Sequence, residues 1–115
     1  MIDFACKRFS LDEVIKCSLG LTKAEFAILK HFIKQSQERF STKELAEALA
    51  IDQSTVQRAV KKLHEKNVLD RYQINLDGGG YLFTYQLKGK AHLRRIIKNI
   101  IQGWVATVED ALAKL

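Results

Sequence analysis

The chain of 115 residues contains no proline, one methionine, one tryptophan and only two cysteines. Without proline, no ring forces a kink or a fixed φ, so the breaks between elements must come from glycine, asparagine and capping side chains. Cys6 and Cys17 form no CxxC pair and lie far from His31, His64 and His92, a spacing that does not set out a zinc site. No metal and no cofactor are expected. The two thiols read as free cysteines of a reducing compartment, and the sharper alternative is a redox pair within one chain or between two. No uncharged apolar run reaches 18 residues, so no transmembrane span is expected. The opening Met1-Ile2-Asp3-Phe4 has an early acid and no apolar h-region, unlike a secretory signal. A cytoplasmic location is the expectation. Glycine clusters once, at Gly78-Gly79-Gly80, and no Lys-Ser/Thr follows it, which excludes a phosphate loop of the Walker type. No Ser/His/Asp or Cys/His arrangement stands out, so an enzyme is not expected.

What the chain does have is a hydrophobic content of 47%, enough for one compact core with one appended element. The net charge is +6. It is uneven: residues 1–50 carry 8 basic and 7 acidic side chains, whereas residues 51–115 carry 11 and 6. A basic half beside a nearly neutral one points to a polyanionic partner.

Three capping boxes mark three helix starts: Ser10-Leu11-Asp12-Glu13, Thr22-Lys23-Ala24-Glu25 and Ser41-Thr42-Lys43-Glu44. In each the hydroxyl accepts from the N3 amide and the Glu reaches back to the cap amide. The apolar spacing predicts helices over about 11–18, 23–36 and 42–49, the third with Leu45, Ala48 and Leu49 inward. After a break at Ala50-Ile51, Asp52 caps a fourth helix over about 53–66, with Val56, Ala59, Val60 and Leu63 on its apolar face. The period then changes to two over Tyr72, Ile74 and Leu76, and again over Tyr81, Phe83, Tyr85 and Leu87. Asp77-Gly78-Gly79-Gly80 lies between, so the pair reads as a β-hairpin. A final helix over about 90–113 is ~36 Å long at 1.5 Å per residue, more than a body of this size covers.

This order predicts a mainly α (α+β) fold: a winged helix-turn-helix with a two-stranded β-wing over residues 1–88, then a long C-terminal dimerisation helix over 89–115. In such a plan the second helix of the pair enters the major groove, the first braces it and the wing touches the adjacent groove or backbone. Gln53, Ser54, Gln57 and Arg58 are placed to meet base edges, where bidentate Gln suits adenine and Arg suits guanine. Thr55, Lys61 and Lys62 suit phosphates, as do Ser41, Thr42 and Lys43 at the preceding helix start. In the wing, Arg71, with Gln73 and Asn75, projects from the face opposite Tyr72 and Ile74. Lys88, Lys90, Arg94, Arg95 and Lys98 form a basic run, either a solvated face or a flank for phosphates. The Ile-rich stripe of the last helix, with Leu93, Ile97, Ile100, Ile101, Trp104, Val108 and Leu112, reads as a dimer interface, and Phe4 to Phe9 could cover the same face.

The stretches 41–49, 54–63 and Asn67-Val68-Leu69-Asp70-Arg71 resemble the MarR/TrmB-like transcriptional regulators, most closely the short archaeal members. Asn67 stands where that pattern usually has glycine, and asparagine tolerates the left-handed conformation needed there. The resemblance covers about residues 20–88 and implies a DNA-binding homodimer, with Ser54, Thr55, Gln57, Arg58 and Lys61 matching the family's recognition helix. No counterpart of the large effector domain of sugar-sensing TrmB proteins is expected in these 115 residues, so sugar binding is not implied, and any small-molecule effector is unknown. The expected function is a sequence-specific regulator of double-stranded DNA, acting as a repressor. The alternative is a winged-helix protein-docking module.

Overall fold

All 115 residues are described by the computed structural model. The chain opens with a miniature hairpin that the sequence reading does not anticipate. Strands β1 (Ile2–Asp3) and β2 (Arg8–Phe9) pair antiparallel. The Phe4 and Lys7 backbones close the turn with bonds of 2.8 and 3.2 Å, and Arg8 Nε reaches Asp3 Oδ1 at 2.8 Å. Two-residue strands give no periodic signal, which is why the pattern of side chains did not reveal them.

Each capping box forms as predicted. Helices α1 (Leu11–Leu19), α2 (Lys23–Lys34) and α3 (Thr42–Leu49) open on Ser10, Thr22 and Ser41, each with its reciprocal Glu. Helix α2 stops at Lys34, two residues short of the expected end, where the Gln35 amide bonds the His31 carbonyl. Helix α4 (Gln53–Glu65) opens on Asp52, whose carboxylate accepts from the Thr55 amide at 3.3 Å. The tight turn between α3 and α4 places Ala50 at φ 52°, a left-handed conformation that costs an alanine energy. Asn67 sits at φ 65° past the end of α4, the left-handed geometry expected of it. The apolar face of α4 is buried in full: Val56, Ala59, Val60 and Leu63 pack toward α2 and α3. With Phe32, Ile28, Leu29 and Leu45 they make the centre of the core. Ala48 lies outside it, exposed on α3.

Strands β3 (Leu69–Asn75) and β4 (Tyr81–Leu87) form the wing, in register from Leu69↔Leu87 to Asn75↔Tyr81. Phe40 adds a third rung at the base, exchanging two 2.8 Å backbone bonds with Tyr85. Leu69, Tyr85 and Leu87 anchor this base in the core. The register also separates the two apolar alternations seen in the sequence. Arg71, Gln73 and Asn75 share a face with Tyr85, Phe83 and Tyr81, while Tyr72 and Ile74 share the opposite face with Thr84 and Leu82. Both faces of the outer ribbon are therefore apolar, and Ile74, Leu76, Tyr81 and Leu82 remain exposed.

Helix α5 (Lys90–Ala113) leaves the body after its first turns. Leu93 is buried and Ile96 and Ile97 pack on the core, but from Lys98 onward nearly every side chain is exposed. The molecule measures 64 × 24 × 24 Å with a radius of gyration of 17.0 Å, against about 13 Å for a compact chain of this length. No helix is long and apolar enough to cross a membrane.

Candidate nucleic-acid interface

Because α4 buries one stripe completely, its other side is presented to solvent as a unit. Gln53, Ser54, Gln57, Arg58 and Lys61 are exposed and Thr55 is half-buried. This outward face carries no carboxylate, since the only acid within α4 is Glu65 at its last position. Local bonds organise its first turns. The Ser54 hydroxyl donates to Asp52, Arg58 Nη2 donates to Thr55 Oγ1 at 3.3 Å, and Gln53 Nε2 approaches Thr42 Oγ1 at 3.5 Å. The Ser54 hydroxyl, followed by the Thr55 amide, holds the Asp52 carboxyl below its ordinary range, so the cap stays ionised. Gln57 and Lys61 have no side-chain partner.

Two of the predicted phosphate contacts are committed elsewhere. Ser41 is 4% exposed, and its hydroxyl is taken by the Glu44 amide at 3.2 Å in the capping box. The capping bond uses only a lone pair of that hydroxyl, and it is burial that keeps its O–H from an anion. Lys62 points away from the outward face. Its ammonium donates to the Gly20 carbonyl at 2.7 Å and to Glu25 Oε1 at 2.9 Å, tying α4 to the turn between α1 and α2. Burial works against the charged form of Glu25, but the Thr22 backbone amide and Lys62 outweigh it and keep the carboxyl below its ordinary range. Lys62 is a tie between helices, and it lay on the wrong side of a helix that the sequence pattern could not rotate finely enough. Thr42 is half-buried and Lys43 exposed at the start of α3.

In the wing, Arg71 is exposed with its guanidinium 4.5 Å from the centre of the Phe83 ring. One cation beside the wing was missed. Arg39, in the loop between α2 and α3, lies 3.6 Å from the centre of the Tyr72 ring. No periodicity marks a loop arginine, and only the fold brings it beside the wing. The basic run after the wing is partly neutralised: Lys88 bonds Asn67 Oδ1 at 2.6 Å and lies 3.6 Å from Asp70. Arg95 bonds the His92 ring at 3.3 Å, and Arg94 and Lys98 are exposed without an ion pair.

Of the predicted interface residues on α5, Leu93 is 6% exposed and belongs to the chain's own core, so it is withdrawn from that surface. Ile97 and Val108 are half-buried, while Ile100, Ile101, Trp104 and Leu112 are exposed. Apolar grooves flank the crossing of α1 and α5. One, of about 480 Å³, lies over Leu11, Ile15 and Ile97. The other, of about 500 Å³, lies under the N-terminal hairpin, between Phe4, Phe9, Val14 and Trp104. Cys17 lines the second groove, and both cysteines are free and exposed.

Three helices around a buried centre, a tight turn into an exposed fourth helix and a two-stranded wing define a winged helix-turn-helix protein. The DnaD N-terminal domain family matches residues 9–108, and the chain belongs to it. The chain is similar to a protein of Methanosarcina mazei described as a possible transcriptional regulator, with 47% identity and a TM-score of 0.93, covering 99% of this chain and 95% of that one. It is 27% identical to the uncharacterized protein MJ1503 of Methanocaldococcus jannaschii, over 96% of this chain and 82% of that protein. A variant of MepR from S. aureus bound to an oligodeoxyribonucleotide shares the fold, with a TM-score of 0.56 and 14% identity, covering 90% of this chain and 72% of that one. The MarR-like resemblance of the sequence is thus met in the fold.

Proposed function

We propose that this chain is a homodimeric transcriptional regulator that reads double-stranded DNA with α4 and represses by occupying its site. The observation that carries this reading is the outward face of α4, where amides, hydroxyls and cations gather and the one adjoining carboxylate, Asp52, is held in the helix cap. Gln53, Ser54, Gln57 and Arg58 take the base edges, and Thr42, Lys43, Thr55, Lys61 and Arg71 take phosphates. The first 88 residues serve as the DNA-binding domain, in the cytoplasm, and α5 joins two copies through Ile100, Ile101, Trp104 and Leu112. The similarity to a protein described as a possible transcriptional regulator supports the assignment. So does the fold shared with a MepR variant bound to an oligodeoxyribonucleotide, as a matter of architecture.

In vitro selection on random duplex DNA tests the reading. A single enriched motif with two-fold symmetry is expected, with half-sites ~34 Å or a multiple of it apart. A dimer that neutralises about 6–10 phosphates should lose ~10³–10⁵ in affinity between 50 and 200 mM salt. A second reading, a docking module for another protein, is favoured by one feature. Residues 72–87 of the wing carry a single charge, Asp77, and expose Ile74, Leu76, Tyr81 and Leu82. No enriched motif, together with a protein that co-purifies and is lost on Ile74→Ser/Leu82→Ser substitution, would replace the first reading with the second.

A further inference from the structure

We infer that Arg39, in the loop before α3, is a second arginine beside the wing that binds a phosphate of the same DNA. The inference rests on the DNA-binding reading above and adds a contact that the helix-turn-helix plan does not supply. Arg39 is exposed, and its guanidinium carbon lies 3.6 Å from the centre of the Tyr72 ring, the distance of a face-to-face stack. Stacking uses the flat face of a guanidinium and leaves its N–H edge free for a planar, bidentate oxyanion. No carboxylate within 4.0 Å pairs with Arg39, so that edge has no competing anion.

The loop that carries Arg39 is fixed to the wing from both sides. Phe40, the next residue, exchanges two 2.8 Å backbone bonds with Tyr85, and Gln86 Nε2 donates to the Gln37 carbonyl at 3.1 Å. A long, flexible side chain normally loses rotamer entropy when it grips a ligand. Here the ring and the pinned loop have already removed much of that freedom. The wing register makes the arrangement two-sided. Tyr72 and Phe83 lie on opposite faces of the ribbon, so Arg39 over Tyr72 and Arg71 over Phe83 flank it, one guanidinium on each side. Beyond them the wing is almost uncharged, which leaves these two cations as the ribbon's means of holding a backbone. Arg39 also immediately precedes the Phe40-Ser41-Thr42-Lys43 start of α3, so its phosphate would adjoin the one at Lys43.

The test is duplex titration of the full chain on its selected site between 50 and 200 mM salt, with thermal melting as a check on folding. Each phosphate contact contributes about 0.9 to the logarithmic salt slope per half-site. Arg39→Ala removes one contact from each half-site, so on the dimer's site it should lower the slope by about 1.8 and weaken binding at least roughly tenfold at low salt, with the melting temperature unchanged. Arg39→Lys should keep the slope and bind several-fold more weakly, because the charge remains and the planar stack is lost. Tyr72→Leu should match Arg39→Lys, while Tyr72→Phe should match the parent. An Arg39→Ala protein with unaltered slope and affinity, measured beside an Arg58→Ala protein that binds poorly, would overturn the inference and leave the DNA-binding reading standing. A lower melting temperature with an unaltered slope would also overturn it, by showing the stack to be structural. A parent chain that binds no duplex would overturn both.

Discussion

Arg58 illustrates how a single side chain can be both ordered and available. Its bond to Thr55 steadies it along the helix, yet it is a neutral hydroxyl contact that a guanine edge or a phosphate can displace. Arg58→Ala should cost about 1–3 kcal/mol of binding and relax preference at one base pair, read from parallel titrations of the selected site and its single-base variants. Equal weakening on all variants would move Arg58 to the phosphate contacts. Lys62 behaves differently because its ammonium is already used. Lys62→Met keeps the stem and removes the bonds to Gly20 and Glu25, and should lower folding stability by about 1 kcal/mol. The low end of the range applies because Lys62 keeps 34% of its surface in water. The carboxyl of Glu25 is held below its unfolded range, so its stabilising share is complete at neutral pH and is lost as the solution is acidified through that lowered value. Denaturant titrations from neutral to acid pH should show that loss in the parent and less of it in Lys62→Met. Ala50 makes the converse point. Its φ of 52° is a glycine's conformation. Ala50→Gly should stabilise the fold by ~0.5–1 kcal/mol, the relief of strain exceeding the added freedom of the unfolded chain, as read from the denaturation midpoint.

At the scale of elements, much of the structure was legible in local chemistry. Reciprocal Ser/Thr and Glu pairs fixed three helix starts, Asp52 a fourth, and glycine-rich residues 77–80 the hairpin turn. These signals are contained within a few residues, so they survive without knowledge of the fold. What depended on the rotation of an element about its own axis was harder to read. Lys61 and Lys62 are neighbours in sequence, but one faces solvent and the other spans to α2. Ser41 served as both a cap and a candidate ligand until its burial decided for the cap. The wing register is a further case, since alternation in two strands does not say whether the apolar residues share a face. Arg39 was illegible for a different reason: a loop residue acquires its neighbour only through tertiary pairing. Helix α5 can be tested as an element. Ile101→Asp with Trp104→Glu places two charges on its uncovered stripe and leaves the Leu93 anchor in place. The folded variant should scatter light as a monomer at micromolar concentration, where a dimer is expected of the parent. Identical masses would remove α5 from the interface.

Across the whole molecule, the base of α5 and its outer part have separate roles. Leu93, Ile96 and Ile97 fasten it to the core, whereas the part beyond Lys98 leaves the body and gives the molecule its 64 Å length. Cores stabilise in proportion to the apolar surface they cover, and this outer stripe is only partly covered by its own chain. The grooves beside α1 and under the N-terminal hairpin continue the same apolar surface. If a second copy supplies the cover, the amount of dimer grows with the square of the free chain at low abundance. Occupancy of a DNA site would then rise more steeply than the chain's own concentration. A cell could release such a site by modest dilution or slower synthesis, with no ligand involved, because the exposed stripe on α5 makes abundance itself the signal.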